Sequence, residues 1–236
     1  MPTRRPAPKR KPKPRPPVVP AAVATDFSTR LRRWFKRNSR DLPWRRTRDP
    51  YRVLVSELML QQTQVSRVID YYARFLDRFP TVHTLAAAKP AMVMEQWEGL
   101  GYYARARNLH ALAKHVTRDG ADGTLPSEPH ELRELPGIGD YTAGAVSSFA
   151  YEQRAALVDT NVARVLARVF APRLDPKRPR DLKKLWAIAE QVLPRTGKAS
   201  WTHNQAVMEL GALLCTARTK HCSACPVSSI CKSKDE

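Results

Sequence analysis

Acidic residues are scarce. The 236-residue chain has 22 Asp and Glu against 41 Lys and Arg, a net charge of +19. That imbalance calls for a polyanionic partner: DNA, RNA or an anionic membrane surface. No acid occurs in residues 1–25, which instead hold seven Lys or Arg and eight Pro. Such a composition cannot bury enough apolar surface to fold alone. Residues 1–25 are therefore expected to be a disordered basic tail, either a solvated extension or an arm that adds non-specific affinity. Long apolar runs are also missing. No stretch reaches the ~18 residues of a membrane helix, and the apolar residues around Val18–Ala24 are too few, and too broken by Pro20, for a signal peptide. An intracellular protein is expected, with no membrane partner. Cysteine is absent from the first 214 residues, and all four lie between Cys215 and Cys231. That crowding suggests a metal site more than a disulfide framework.

Alternating strand patterns are absent too. From Asp26 onward apolar residues recur at three- and four-residue spacing, as in Phe27-Leu31-Trp34-Phe35 and Val53-Leu54-Leu58. Prolines punctuate the runs. The fold class is all-α, with about ten helices. Hydrophobic content of 42% is enough for a real core.

Residues 131–146 read as helix, tight turn, helix, with Leu135-Pro136-Gly137-Ile138-Gly139 at the turn. Pro136 ends the first helix. Gly137 and Gly139 are expected to allow positive φ and close approach to another surface. The second helix begins at once, so its free N–H groups suit a phosphate. The competing reading is an ordinary helical corner.

Two carboxylates stand out. Glu57 sits in the apolar helix around Tyr51–Leu60. Desolvation there raises a carboxyl pKa, which suits a general acid, although a solvated stripe is the plain alternative. Asp159 precedes a helix expected to start near Val162, and by itself reads as a cap. A helix N-terminus would keep it ionised. The cysteine spacing, Cys215-x6-Cys222-x2-Cys225-x5-Cys231, fits either tetrahedral zinc or a 4Fe–4S cluster.

The hairpin resembles the helix-hairpin-helix of the base-excision glycosylases related to endonuclease III. Further motifs are similar to the adenine DNA glycosylase (MutY-type) branch. They are Leu42-Pro43-Trp44-Arg45, Glu57-Leu58-Met59-Leu60-Gln61-Gln62-Thr63-Gln64, Gly99-Leu100-Gly101-Tyr102-Tyr103-Ala104-Arg105 and Val158-Asp159-Thr160-Asn161. With the cysteine cluster, the likeness covers about residues 27–232. It implies two helical subdomains flanking a DNA cleft. One is built from residues 26–50 and 152–214, the other from 51–151 with the hairpin, and a cluster loop follows at 215–231. The implied partner is double-stranded DNA carrying a mismatched base, bound by a monomer in the cytoplasm, at the nucleoid.

The resemblance also assigns roles. Cleaving an N-glycosidic bond needs a proton for the leaving base and an anion facing the sugar cation, the logic of paired carboxylates in glycoside hydrolysis. Glu57 matches the acid that protonates adenine N7, and Asp159 the carboxylate at C1′. Tyr141 stands where bifunctional relatives have a Schiff-base lysine, so no imine forms there; it is implied to hydrogen-bond beside Asp159, with Asn161 orienting the site. The target base must be flipped out. Gln62 and Tyr102 are the implied wedge, with Arg45, Leu60 and Gln61 near the base. Gly137, Gly139, Arg105 and Arg107 are expected on phosphates. Cys215, Cys222, Cys225 and Cys231 are implied to hold one 4Fe–4S cluster, stiffening a loop that presents Lys220 and Lys232 to DNA.

Two features depart from that branch. A C-terminal domain that reads 8-oxoguanine is usual there, whereas this sequence stops at Glu236; that domain is expected to be lacking. Thr160 replaces the usual glycine and looks more like endonuclease III. Three readings follow: a monofunctional adenine glycosylase acting opposite guanine or 8-oxoguanine, a thymine or uracil glycosylase acting opposite guanine, and a non-catalytic DNA-binding module. Glu57 with the Gln-rich and Gly-Tyr-Tyr motifs favours the first.

Overall fold

The computed structural model describes residues 17–234. Eleven α-helices occur among them: α1 (Ala21–Asn38), α2 (Pro50–Leu60), α3 (Val65–Arg78), α4 (Val82–Ala87), α5 (Pro90–Trp97), α6 (Ala104–Val116), α7 (Pro129–Leu132), α8 (Asp140–Tyr151), α9 (Thr160–Phe170), α10 (Pro179–Val192) and α11 (Gly197–Leu213). The one strand-like pairing among the described residues is an isolated bridge between Cys215 and Lys220. The all-α expectation holds. No helix among them is long and apolar enough to cross a membrane.

Proline starts four of these helices. Pro50, Pro90, Pro129 and Pro179 each occupy the first turn, where a missing N–H costs nothing and φ is already helical. Asp49 caps α2 by accepting from Arg52 N, and Thr81 and Thr84 form a reciprocal capping box on α4.

The tail boundary at residue 25 needs correction. Helix α1 begins at Ala21, and Val19 is buried. Gln191 of α10 accepts from Val19 N at 2.9 Å and donates to Pro17 O at 3.1 Å. Alanines after Pro20 are good helix formers, and a buried valine supplies the anchor. Residues 1–16, the bulk of the expected tail, lie outside the described residues.

Helix packing falls into two groups. α1 packs on α10 and α11, and α9 on both of those; α2 packs on α3, α6 and α8, with α4 and α5 against α6. Helices α8 and α11 join the groups. The first group is centred on Phe27 and Leu31, both fully buried, with the Phe27 ring edge-on to Phe170 at 4.9 Å. The second is centred on Leu54, Leu58, Met59, Phe75 and Trp97.

Close helix approach depends on small residues at the join. Every residue of α8 from Thr142 to Ala150 is buried. A Cβ on Gly144 would sit 2.1 Å from the Ala156 carbonyl oxygen. That contact sets how near the loop before Asp159 runs to α8, and so how near Asp159 comes to α2.

Candidate active site

Glu57 lies on the buried side of α2, 3% exposed. Tyr141, in the first turn of α8, donates from its hydroxyl to Glu57 Oε2 at 2.6 Å. Burial pushes the Glu57 carboxyl up to about 7; the Tyr141 hydrogen bond pulls it back, Asp159 raises it further and the Arg45 guanidinium lowers it. Burial and the adjacent carboxylates hold the Tyr141 phenol well above its ordinary value.

Asp159 caps α9. Its Oδ1 accepts from Val162 N at 2.6 Å, and its Oδ2 accepts from Asn161 Nδ2 at 3.1 Å. These bonds favour the ionised form, but burial outweighs them and the pKa is raised. The expectation that the helix start alone would fix the charge was incomplete, because the site is largely dehydrated. Asn161 is itself held: its Oδ1 accepts from Arg164 Nη2 at 2.7 Å. Arg164 also donates to the carbonyls of Gly211 and Cys215, at 2.8 and 2.9 Å. A continuous polar chain therefore runs from Asp159 to the first cysteine.

Arg45 is partly buried, its side chain 11% exposed. It donates to Gln205 Oε1 (2.9 Å), Arg40 O (2.9 Å) and Glu209 Oε2 (2.8 Å). Leu60 is partly buried against the core. Gln61 donates to Thr142 Oγ1 at 3.3 Å.

Gln62 and Tyr102 line one open recess with Gln61, Tyr103 and Arg107. Both have left-handed backbone, φ 55° and 48°, uncommon for residues with side chains and typical of strained functional positions. Tyr102 is 58% exposed, too open for a core aromatic.

Arg107 is exposed, as a phosphate contact requires. Arg105 is not: it is 7% exposed, and its guanidinium donates to the carbonyls of Leu58, Met59, Gln61, Leu100 and Gly101. The expected phosphate contact is corrected to an internal clasp, since those donors are already spent.

The hairpin glycines differ from each other. Gly137 has φ 76°, and a Cβ there would meet Asn108 at 2.5 Å. Gly139 has φ −99° and open space where a Cβ would stand. Positive φ was expected at both and occurs only at Gly137. No side chain caps α8, which leaves its first N–H groups to an outside acceptor.

The four cysteines line one recess with Arg168, Val169, Leu210, Leu214 and Val227. None is in a disulfide. Among the described residues no three His, Cys, Asp or Glu side chains converge to grip a single ion. Four thiols lining one recess are the donor set that either a tetrahedral zinc or a 4Fe–4S cluster takes. Burial pushes Cys225 up to about 11, so holding thiolates here needs a compensating cation. Helix α9 docks the loop: Arg168 Nη1 donates to Cys215 Sγ at 3.2 Å, and Lys232 Nζ to Phe170 O at 2.9 Å. Lys232 is thus engaged with α9. Lys220 is exposed and pairs in an isolated bridge with Cys215.

Thr142, Arg164, Gln205 and Glu209 were not anticipated as site residues. Arg164 had a readable signal, one helical turn after Asn161. Glu209 had none, since it reaches Arg45 from 164 positions away.

A glycine hairpin whose second helix reaches a buried acid makes this a helix-hairpin-helix protein. The model of the HhH-GPD superfamily, base excision DNA repair proteins, matches residues 55–191, and the chain belongs to that superfamily. The chain is 43% identical over 222 residues to the human adenine DNA glycosylase, covering 90% of this chain and 40% of that protein. It is 44% identical over 203 residues to the adenine DNA glycosylase of Mycobacterium tuberculosis, covering 84% of this chain and 65% of that protein. The chain thus spans about two fifths of the human relative's length. Among solved structures, a thermostable thymine-DNA glycosylase matches with TM-score 0.81 at 29% identity, over 91% of this chain and 97% of that one. A trapped endonuclease III–DNA covalent intermediate matches with TM-score 0.75 at 22% identity, over 92% and 98%, a likeness of fold.

Proposed function

We propose that the protein is a monofunctional adenine DNA glycosylase, hydrolysing the N-glycosidic bond of adenine mispaired with guanine or 8-oxoguanine in duplex DNA. The observation that carries this reading is the dehydrated carboxyl of Glu57, pushed up to about 7 and hydrogen-bonded by Tyr141 where a lysine would be needed for strand cleavage. Such an acid still holds its proton near neutral pH. Glu57 gives that proton to N7 as the C1′–N9 bond breaks and its electron pair leaves with the base. Asp159 faces the sugar cation with Asn161 orienting it. Water then adds to C1′ and releases a proton.

Gln62 and Tyr102 fill the gap left by the flipped base, with Arg45, Leu60 and Gln61 around the pocket. The α8 N-terminus at Gly137–Gly139, together with Arg107, takes backbone phosphates, so affinity falls with salt. Cys215, Cys222, Cys225 and Cys231 hold a 4Fe–4S cluster, which serves to fix the loop docked on α9. The protein binds as a monomer.

Thymine excision opposite guanine is the second reading. It is supported by the likeness to the thymine-DNA glycosylase. The identities of 39–44% to adenine glycosylases favour adenine. Duplexes with a single A:8-oxoG, A:G, T:G or U:G pair, scored for abasic sites, decide between them. Excision from T:G alone would overturn the adenine reading, and excision from none would overturn both.

A further inference from the structure

Arg105 was expected on a phosphate and lies instead beneath both wedge residues. On one side its Nη1 donates to the last carbonyls of α2, Leu58 O at 2.8 Å and Met59 O at 2.9 Å, and to Gln61 O. On the other, its Nη2 donates to Gly101 O at 3.0 Å and Leu100 O at 3.3 Å, and Nε to Tyr102 O at 3.4 Å. Nη2 also reaches Thr63 Oγ1 at 3.2 Å. Its guanidinium carbon lies 5.4 Å from the Tyr102 ring centre and 5.5 Å from that of Trp97.

All those acceptors are uncharged, so the cation is held by the dipoles of two loops at once. Gln62 and Tyr102, one on each loop, are two of the four non-glycine residues with left-handed backbone among the described residues. Neither conformation is favoured locally; each persists because its surroundings over-determine it. Among the described residues the guanidinium fork is the one group with hydrogen bonds to both loops, and its planar geometry fixes their spacing.

We propose that Arg105 is a positioning residue that locks the Gln62 and Tyr102 loops into one unit, so that both wedges enter the duplex together. This rests on the base-extrusion reading above. A lysine keeps the charge but cannot bridge two loops with a fork.

Two measurements test it. In Arg105→Lys, single-turnover excision from a stacked A:8-oxoG pair should fall by at least ~10-fold, the scale of a small misplacement. The same adenine facing an abasic gap, already loosened, should lose much less, and the pH midpoint of the rate should stay put because Glu57 is untouched. Equal losses on both substrates would overturn the proposal. The second variant is milder. Thr63→Val removes one acceptor on the Gln62 side only. Amide exchange should then rise at residues 99–103 as well as 61–64. A rise confined to 61–64 would show the loops to be independent and overturn the proposal, whether or not Arg105→Lys folds. Wild-type protein that excises from neither substrate would instead sink the glycosylase reading, and the exchange experiment would still decide whether Arg105 couples the loops.

Discussion

The Tyr141 hydroxyl sits 2.6 Å from Glu57 Oε2, donating to a carboxyl that burial has pushed up to about 7. One contact thus joins the first turn of the hairpin helix α8 to the middle of α2. It selects a single orientation for the acid, and it occupies with a phenol the place where an amine would open a different reaction.

Replacing Glu57 by Gln keeps the shape and can still accept from Tyr141, but it delivers no proton. Excision should fall by ~10²–10⁴-fold while duplex binding hardly changes, because phosphate contacts dominate affinity. In wild type the rate should decline about ten-fold per pH unit once pH exceeds about 7. Near-normal excision by Glu57→Gln on A:8-oxoG duplexes would reduce Glu57 to a polar residue on a buried helix.

The same carboxyl has a consequence for stability. Its folded pKa lies above its unfolded value, so its favourable contribution is complete below about 4.5 and is lost as pH rises through about 7. Above that, the folded state carries a buried charge. Glu57→Gln should therefore stabilise the protein at pH 8.5 by up to about 3 kcal/mol and change little at pH 4. Melting curves at the two pH values check this, and equal Tm shifts at both would contradict it.

Without a lysine at position 141, no Schiff base forms there. Borohydride should trap little protein on DNA, and breaks should appear only after alkali or heat. Efficient trapping would mean that another amine does the work.

Purified protein should be yellow-brown, with broad absorbance near ~400 nm and about four irons per chain. Colourless protein holding one zinc would restore the simpler metal reading of the cysteine spacing.

Local signals in the sequence were readable where local physics decides. Pro50, Pro90, Pro129 and Pro179 start helices because φ is preset there. Glu57 stood out because its neighbours are apolar, and Asp159 because it precedes a helix. The hidden parts are non-local. Arg105 looks like any surface arginine until α2 and the Gly99–Tyr102 turn bring their carbonyls to it. Gly137 and Gly139 look alike in the chain, and only the packing of Asn108 separates them. Val19 seemed part of a polar tail because its burial depends on Gln191, which is 172 positions away.

Glu209 is the clearest of these non-local cases, and it makes the last prediction. Its side chain is fully buried between Arg40 and Arg45, both at 2.8 Å. Burial alone would raise its pKa, but hydrogen bonds from the two arginines win and pull it down to about 2. A carboxylate depressed in this way contributes stability above about 4.5 and loses it as pH falls toward about 2. Glu209→Gln should therefore cost about 3 kcal/mol at pH 7, and progressively less as pH drops through that window. The trend is opposite to that of Glu57→Gln, so the two variants measured together separate a paired buried carboxylate from a dehydrated one. Arg45, left with only Gln205 and the Arg40 carbonyl as partners, would also be held less firmly in place near Glu57. Its charge lowers the Glu57 pKa, so the rate midpoint of Glu209→Gln should move up in pH. An unchanged midpoint with the full loss of stability would confine Glu209 to holding the fold.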